Sequence, residues 1–319
     1  MNIEDNNMYP SQEHQILESK SKDRRYYKKI IILSGLFLSL MLVATFVAQM
    51  VLFYLSGKYF RVFYESDWFD VTLAAIGLAG VGLPLFAILM KGVPGSDRGK
   101  VNKLSFGQFV KYFFVSIAVL YISNTISGII NLVIGIIRGK LIDNPVQDIV
   151  VNSNIVVNIL YICLLGPIVE EIIFRKILLD KLRKFGDLPA ILLTGIAFGL
   201  THMNLAQLLY ATTLGIIFAY ITIRTNTVIY SMILHIMINF IGSGLPLLIL
   251  NKGFVSFETF LLWIYASMSI GTVIFILNIK KIKINKVKTP LVNKRDYILN
   301  LGTLTFLLIS IGMIALSLR

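Results

Sequence analysis

Nine apolar runs constrain this chain more than any other feature, most of them near the ~20 residues that a helix needs to cross a hydrocarbon core. They fall at about 30–56, 69–90, 107–136, 155–175, 188–204, 206–223, 227–250, 259–278 and 297–318. Lipid cannot satisfy backbone polar groups, so only helices and closed barrels span it. The runs are continuous rather than alternating, which selects helices. A mean hydropathy of +0.78 excludes an ordinary soluble domain. The expected fold is all-α: a polytopic transmembrane bundle of about eight or nine spans.

A net charge of +13 raises the question of nucleic acid, but the placement of the charge excludes it. Lys and Arg cluster in alternate loops between apolar runs, the pattern that sets membrane topology. With the N-terminus inside, all of the basic residues except Lys58, Arg61, Arg138, Lys140, Lys252 and Arg319 fall on or beside the inner side. Trp68 and Trp263 then lie near the outer interface, where aromatic belts form. The resulting division is a polar, mobile cytoplasmic tail over 1–29, membrane spans over 30–150, a motif-bearing membrane core over 151–250, and further spans over 251–319. The last part carries a basic inner loop at 279–296, read as a solvated topology loop. Residues 1–29 are too long and too mixed in charge for a signal peptide, so the first span is expected to stay as an anchor. A single Cys163 excludes an internal disulfide and a multi-cysteine metal site. The expected location is the cell membrane, and the Lys-, Ile- and Asn-rich composition looks bacterial.

Of seventeen acidic residues, only Glu170 and Glu171 fall well inside a span. Charge there costs at least ~2.5 kcal/mol per residue and marks function. Glu171 and Arg175 are i, i+4 with the acid first, the favourable order for an ion pair on one helix face. Adjacent helix positions point ~100° apart, so Glu170 is left without that partner.

His202 and His235 also lie in apolar runs, while His14 lies in the tail. The fourth and fifth spans read as a hairpin turning near Gly186, with Glu170 and His202 each sixteen residues from the turn. At ~1.5 Å per residue both sit ~24 Å along their helices, hence at similar depth. Gly195 and Gly199 form a small-residue ridge that permits close helix approach. His235 and Asn239 share one face of the seventh span. The third run, with Asn124, Ser127, Gly128 and Asn131, is long enough to tilt or to break at Gly128.

Three motifs follow one another on successive apolar segments: E-E-x-x-x-R (Glu170, Glu171, Arg175, with Phe174), F-x-x-x-H (Phe198, His202) and H-x-x-x-N (His235, Asn239). Over about 155–245 the chain resembles the CPBP family of intramembrane endopeptidases, which includes CAAX prenyl proteases, bacteriocin-processing enzymes and bacterial Abi-type proteins. The resemblance implies hydrolysis of a peptide or protein substrate at the lipid bilayer. Glu170 is then the general base and His202 helps to orient the water. His235 and Asn239 donate to the oxyanion, and Glu171 with Arg175 holds the helix in place.

Two cofactor readings stand. Glu170, His202 and His235 are the three ligands that a catalytic zinc would use. The H-E-x-x-H helix that best signals zinc is missing, and a metal-free water activated by glutamate is the preferred alternative. Two other functions compete with the protease. One is a non-catalytic scaffold or bacteriocin-immunity protein of the same fold. The other is a proton-coupled transporter, which the lack of a repeat between the halves of the chain disfavours.

Overall fold

A computed structural model describes residues 12–96, 99–140, 142, 154–249, 254–285 and 292–318. Among them the chain is helical, with no strand. The helices are α1 (Gln12–Tyr59), α2 (Phe69–Lys91), α3 (Phe106–Arg138), α4 (Ile155–Phe185), α5 (Asp187–Leu200), α6 (Leu205–Thr225), α7 (Ile229–Ile249), α8 (Phe254–Asn278) and α9 (Leu301–Ser317). Seven are long and apolar enough to cross a membrane; α5 and α9 are shorter apolar helices. The protein is a multi-pass integral membrane bundle.

Helix α5 lies along α6, α3 along both α6 and α8, and α1 along α9. These contacts follow the small residues. A Cβ on Gly195 would come within 2.8 Å of the Ile216 backbone nitrogen, and one on Gly199 within 2.7 Å of the Leu208 carbonyl. The α5–α6 approach therefore depends on glycine at both positions. Gly302 of α9 meets α1 in the same way, against the Ile32 backbone. Between α4 and α5 the chain reverses at Gly186, whose φ of +104° lies in the region glycine tolerates.

Apolar side chains form two buried clusters. One joins α1, α2, α4, α5 and α9 through residues such as Phe86, Ile173, Phe174 and Phe198. The other joins α3, α6 and α7 through Ile117, Phe218, Leu234 and Ile238. Outward-facing Val47, Ile137, Leu262 and Leu308 are more than half exposed, as suits side chains that meet lipid instead of water.

Two expectations change. The tail is not mobile throughout: residues 12–29 are the first turns of α1. Its basic end is held by Asp296, just before α9, which accepts from Arg24 Nη2 at 2.9 Å and pairs with Lys28 Nζ at 3.1 Å. Residues 1–11, and 286–291 of the basic loop, lie outside the described residues. Second, α3 runs unbroken through Gly128, where an added Cβ would meet nothing within 4 Å. The helix starts at a Ser105–Gln108 capping box and stops at Gly139, with φ of +70°.

Candidate active site

Helix α4 is not uniformly wound. Two wider, i→i+5 stretches, Ile159–Leu165 and Ile172–Leu178, flank the ordinary turn Gly166–Glu171. Such widened turns often occur at functional sites. Pro167 contributes to the irregularity, because it has no N–H to offer the Ile162 carbonyl five residues back. Asn239 of α7 takes that place, its Nδ2 donating to Ile162 O at 2.9 Å.

Within the short ordinary turn, Glu171 faces inward. Its Oε1 lies 3.1 Å from Arg175 Nη1, and both side chains are 0% exposed. Glu170, pointing elsewhere around the helix, keeps 22% of its side chain exposed. The exposures separate the two carboxylates: only Glu170 is open to another molecule.

His235 reaches across from α7 and stands between them. Its Nδ1 is 3.1 Å from Glu171 Oε1 and its Nε2 is 3.5 Å from Glu170 Oε2. A neutral ring donates to one carboxylate. An imidazolium donates to both and brings the four groups, Glu170, Glu171, Arg175 and His235, to zero net charge. Either state offsets the cost of several charges in a low-dielectric interior.

The Arg175 guanidinium lies over aromatic faces. Its Cζ is 4.4 Å from the Phe198 ring centre and 5.6 Å from that of Phe218, and Nη2 donates to Gly215 O at 3.4 Å. Cation–π contacts of this kind strengthen when desolvated. The Phe198 ring also makes edge contacts with His202, at 5.0 Å between centres, and with His235, at 5.6 Å. One aromatic ring thus ties the three motif segments together.

His202 lies just beyond the end of its helix. Helix α5 ends at Leu200, where Thr201 Oγ1 donates to Phe198 O at 2.7 Å and Met203 turns to a φ of +53°. Asn204 then caps α6 by accepting from Gln207 N at 2.9 Å. His202 Nδ1 is 2.9 Å from Phe198 O. A carbonyl can only accept, so Nδ1 carries a proton, and in the neutral tautomer that this selects Nε2 bears the lone pair.

The structure therefore brings Glu170, Glu171, Arg175 and His235 into one cluster. His202 joins it through Phe198, and Asn239 joins it through the α4 backbone. Two contributors carry no sequence motif: Phe218, whose ring centre is 5.1 Å from that of His235, and Gly215, which supplies the carbonyl to Arg175. Gly215 had a signal, as a small residue opposite Gly195 on the neighbouring helix.

Among the described residues no three His, Cys, Asp or Glu side chains are grouped so that they could hold a metal ion. The zinc set Glu170, His202 and His235 does not fit as arranged. The three side chains do not converge on one point, and the Phe198 ring makes edge contacts with both imidazoles.

Residues 152–241 match the family model described as "Type II CAAX prenyl endopeptidase Rce1-like". A Bacillus subtilis (strain 168) protein named "Putative membrane peptidase YdiL" is 29% identical over 159 residues, covering 49% of this chain and 64% of that relative. No solved structure matches. Through the segment that holds this cluster, the chain is similar to the CPBP family of membrane proteases.

Proposed function

We propose that the protein is an intramembrane endopeptidase that cuts a membrane-associated peptide or protein with a water activated by Glu170. The observation that carries the proposal is the split between the two carboxylates: Glu170 is 22% exposed beside a fully buried Glu171. A base must reach the proton that it removes, and the partial exposure of Glu170 supports that role for it.

In this mechanism Glu170 takes a proton from water while the oxygen adds to the scissile carbonyl carbon. The free Nε2 of His202 accepts the second hydrogen bond of that water and fixes its direction. Charge builds on the carbonyl oxygen, where His235 and the remaining amide hydrogen of Asn239 are the donors. Collapse of the tetrahedral adduct breaks the C–N bond. Protonated Glu170 returns its proton to the leaving nitrogen, giving a new carboxyl and a new amino terminus. Glu171 and Arg175 never touch substrate; they hold the α4 face and orient His235. No step is routed through a metal.

The test compares cells expressing wild type, Glu170→Gln and His202→Ala for a shortened membrane-associated peptide. Its appearance with wild type and loss in both variants supports the reading. An unchanged peptide pattern with an unchanged phenotype would instead favour the non-catalytic scaffold.

A further inference from the structure

At the end of the bundle that carries the Gly186 turn, a narrow crevice with about 20 Å³ of room for water opens between α4 and α6. Its lining includes Arg175, Leu179, Asp180, Arg183, Thr222 and Asn226. The mouth is polar and partly open. Arg183, 24% exposed, donates from Nη1 to Asn226 Oδ1 at 2.6 Å and from Nη2 to Ile223 O at 3.3 Å. The deepest lining residue is Arg175 itself, 1% exposed, which is the cation of the candidate site.

The floor of the crevice has hydrogen-bonding capacity left over. Arg175 Nε has no hydrogen-bond partner among the described residues. Thr222 Oγ1 is 2.9 Å from Ser231 Oγ, and Ser231 Oγ donates its one proton to Val228 O at 2.9 Å. Thr222 must therefore be the donor in its bond to Ser231, which leaves Thr222 Oγ1 with acceptor capacity. One buried N–H donor and one acceptor on the same lining match what a bound water needs, since such a water makes two to four hydrogen bonds.

We infer that this crevice is a water-entry route, with water held between Arg175 Nε and Thr222 Oγ1, and that it hydrates the active cluster from behind. Past Arg175 the contacts run without a gap: Arg175 to Glu171 at 3.1 Å, Glu171 to His235 at 3.1 Å, and His235 to Glu170 at 3.5 Å. Charged groups in a membrane interior characteristically line a water-filled cavity instead of standing dry. The route gives the cluster an aqueous side separate from the face on which Glu170 is open. A peptide occupying that face would then leave the supply of water and the exchange of protons intact.

The experiment needs no substrate, so it stands or falls apart from the peptidase reading. In a Cys163→Ala background, Thr222→Cys, Leu179→Cys, Lys184→Cys beside the mouth, and the lipid-facing Leu192→Cys are treated in sealed vesicles of both orientations. The reagent is a membrane-impermeant sulfonatoethyl methanethiosulfonate. A thiol in apolar surroundings loses thiolate, by tenfold for each unit of pKa rise. Thr222→Cys and Leu179→Cys should thus react about tenfold or more faster than Leu192→Cys, and only from the face that labels Lys184→Cys. Rates at both positions as slow as at Leu192→Cys, with Lys184→Cys reactive, would overturn the inference. Should the cysteine variants fail to accumulate, radiolytic hydroxyl footprinting of the unsubstituted protein reads the same question. Oxidation of Leu179 well above that of Leu192 supports the route, and equal oxidation overturns it.

Discussion

His235 on α7 lies 3.1 Å from the fully buried Glu171 on α4, and through its other nitrogen it reaches the partly open Glu170. This imidazole makes one unit of two adjacent carboxylates that point to different sides of their helix. It also sorts them. Glu171 is enclosed by Arg175 and His235, while Glu170 meets His235 and keeps 22% of its side chain exposed.

That sorting predicts opposite phenotypes. Arg175→Leu leaves a 0%-exposed carboxylate without its cation, and breaking such a pair costs about 3–5 kcal/mol. Thermal unfolding of detergent-purified protein should show a marked loss of stability for Arg175→Leu. Much of it should return in Arg175→Leu/Glu171→Gln, where no charge is stranded. Glu170→Gln should unfold with the wild type.

The α5–α6 contact makes a second pair. A Cβ at Gly199 would collide with Thr212 Oγ1 and approach the Leu208 carbonyl, so Gly199→Ala should cost about 1–3 kcal/mol and displace His202 three residues on. Gly128→Ala meets nothing within 4 Å and should be neutral or stabilising, by up to about 1 kcal/mol. Unfolding midpoints of the two variants give the comparison. Equal effects would mean that the close helix approach is not required.

The clasp between α1 and the start of α9 has a defined pH response. Hydrogen bonds from Arg24, and then Lys28, hold the Asp296 carboxyl down at about 2. A carboxylate with a lowered folded-state pKa contributes stability above its ordinary pKa and loses that contribution as pH falls through the folded value. Asp296→Asn should therefore be less stable than wild type near neutral pH, and the two curves should converge as pH drops from about 4 toward 2. Arg24 and Lys28 are 48% and 41% exposed, so the gap should be modest and shrink in high salt.

Metal removal discriminates between the two cofactor readings. The proposed water activation uses only Glu170, His202, His235 and Asn239. Cleavage by purified protein should persist in excess chelator, with no stoichiometric metal found by elemental analysis. Loss of cleavage that zinc restores in a one-to-one ratio would transfer Glu170 and the histidines to a ligand role.

Much of this arrangement was legible in the chain because it is local. The Glu171–Arg175 pair follows from i, i+4 spacing, the hairpin from Gly186, and the α5–α6 approach from Gly195 and Gly199. Other features depend on how distant helices rotate against one another, which periodicity does not encode. His235 reaching both glutamates requires a particular facing of α4 and α7. The Asp296 clasp joins residues 272 positions apart. Depth matching of Glu170 with His202 treated both helices as ideal. In fact α4 holds two wide stretches and α5 stops at Leu200, so a linear rise does not describe either segment. The Asn239 contact had a trace in Pro167, but Pro167 identifies the freed carbonyl only once the i→i+5 winding is known.

The most direct test of the central claim is comparative peptidomics of membranes from cells expressing wild type, Glu170→Gln or Glu171→Gln at matched levels. The account predicts wild-type cleavage products whose formation falls by about 10²–10⁴-fold in Glu170→Gln, although that variant is folded, as expected for loss of a general base. The same products at the same levels in Glu170→Gln, or their loss in Glu171→Gln alone, would contradict it.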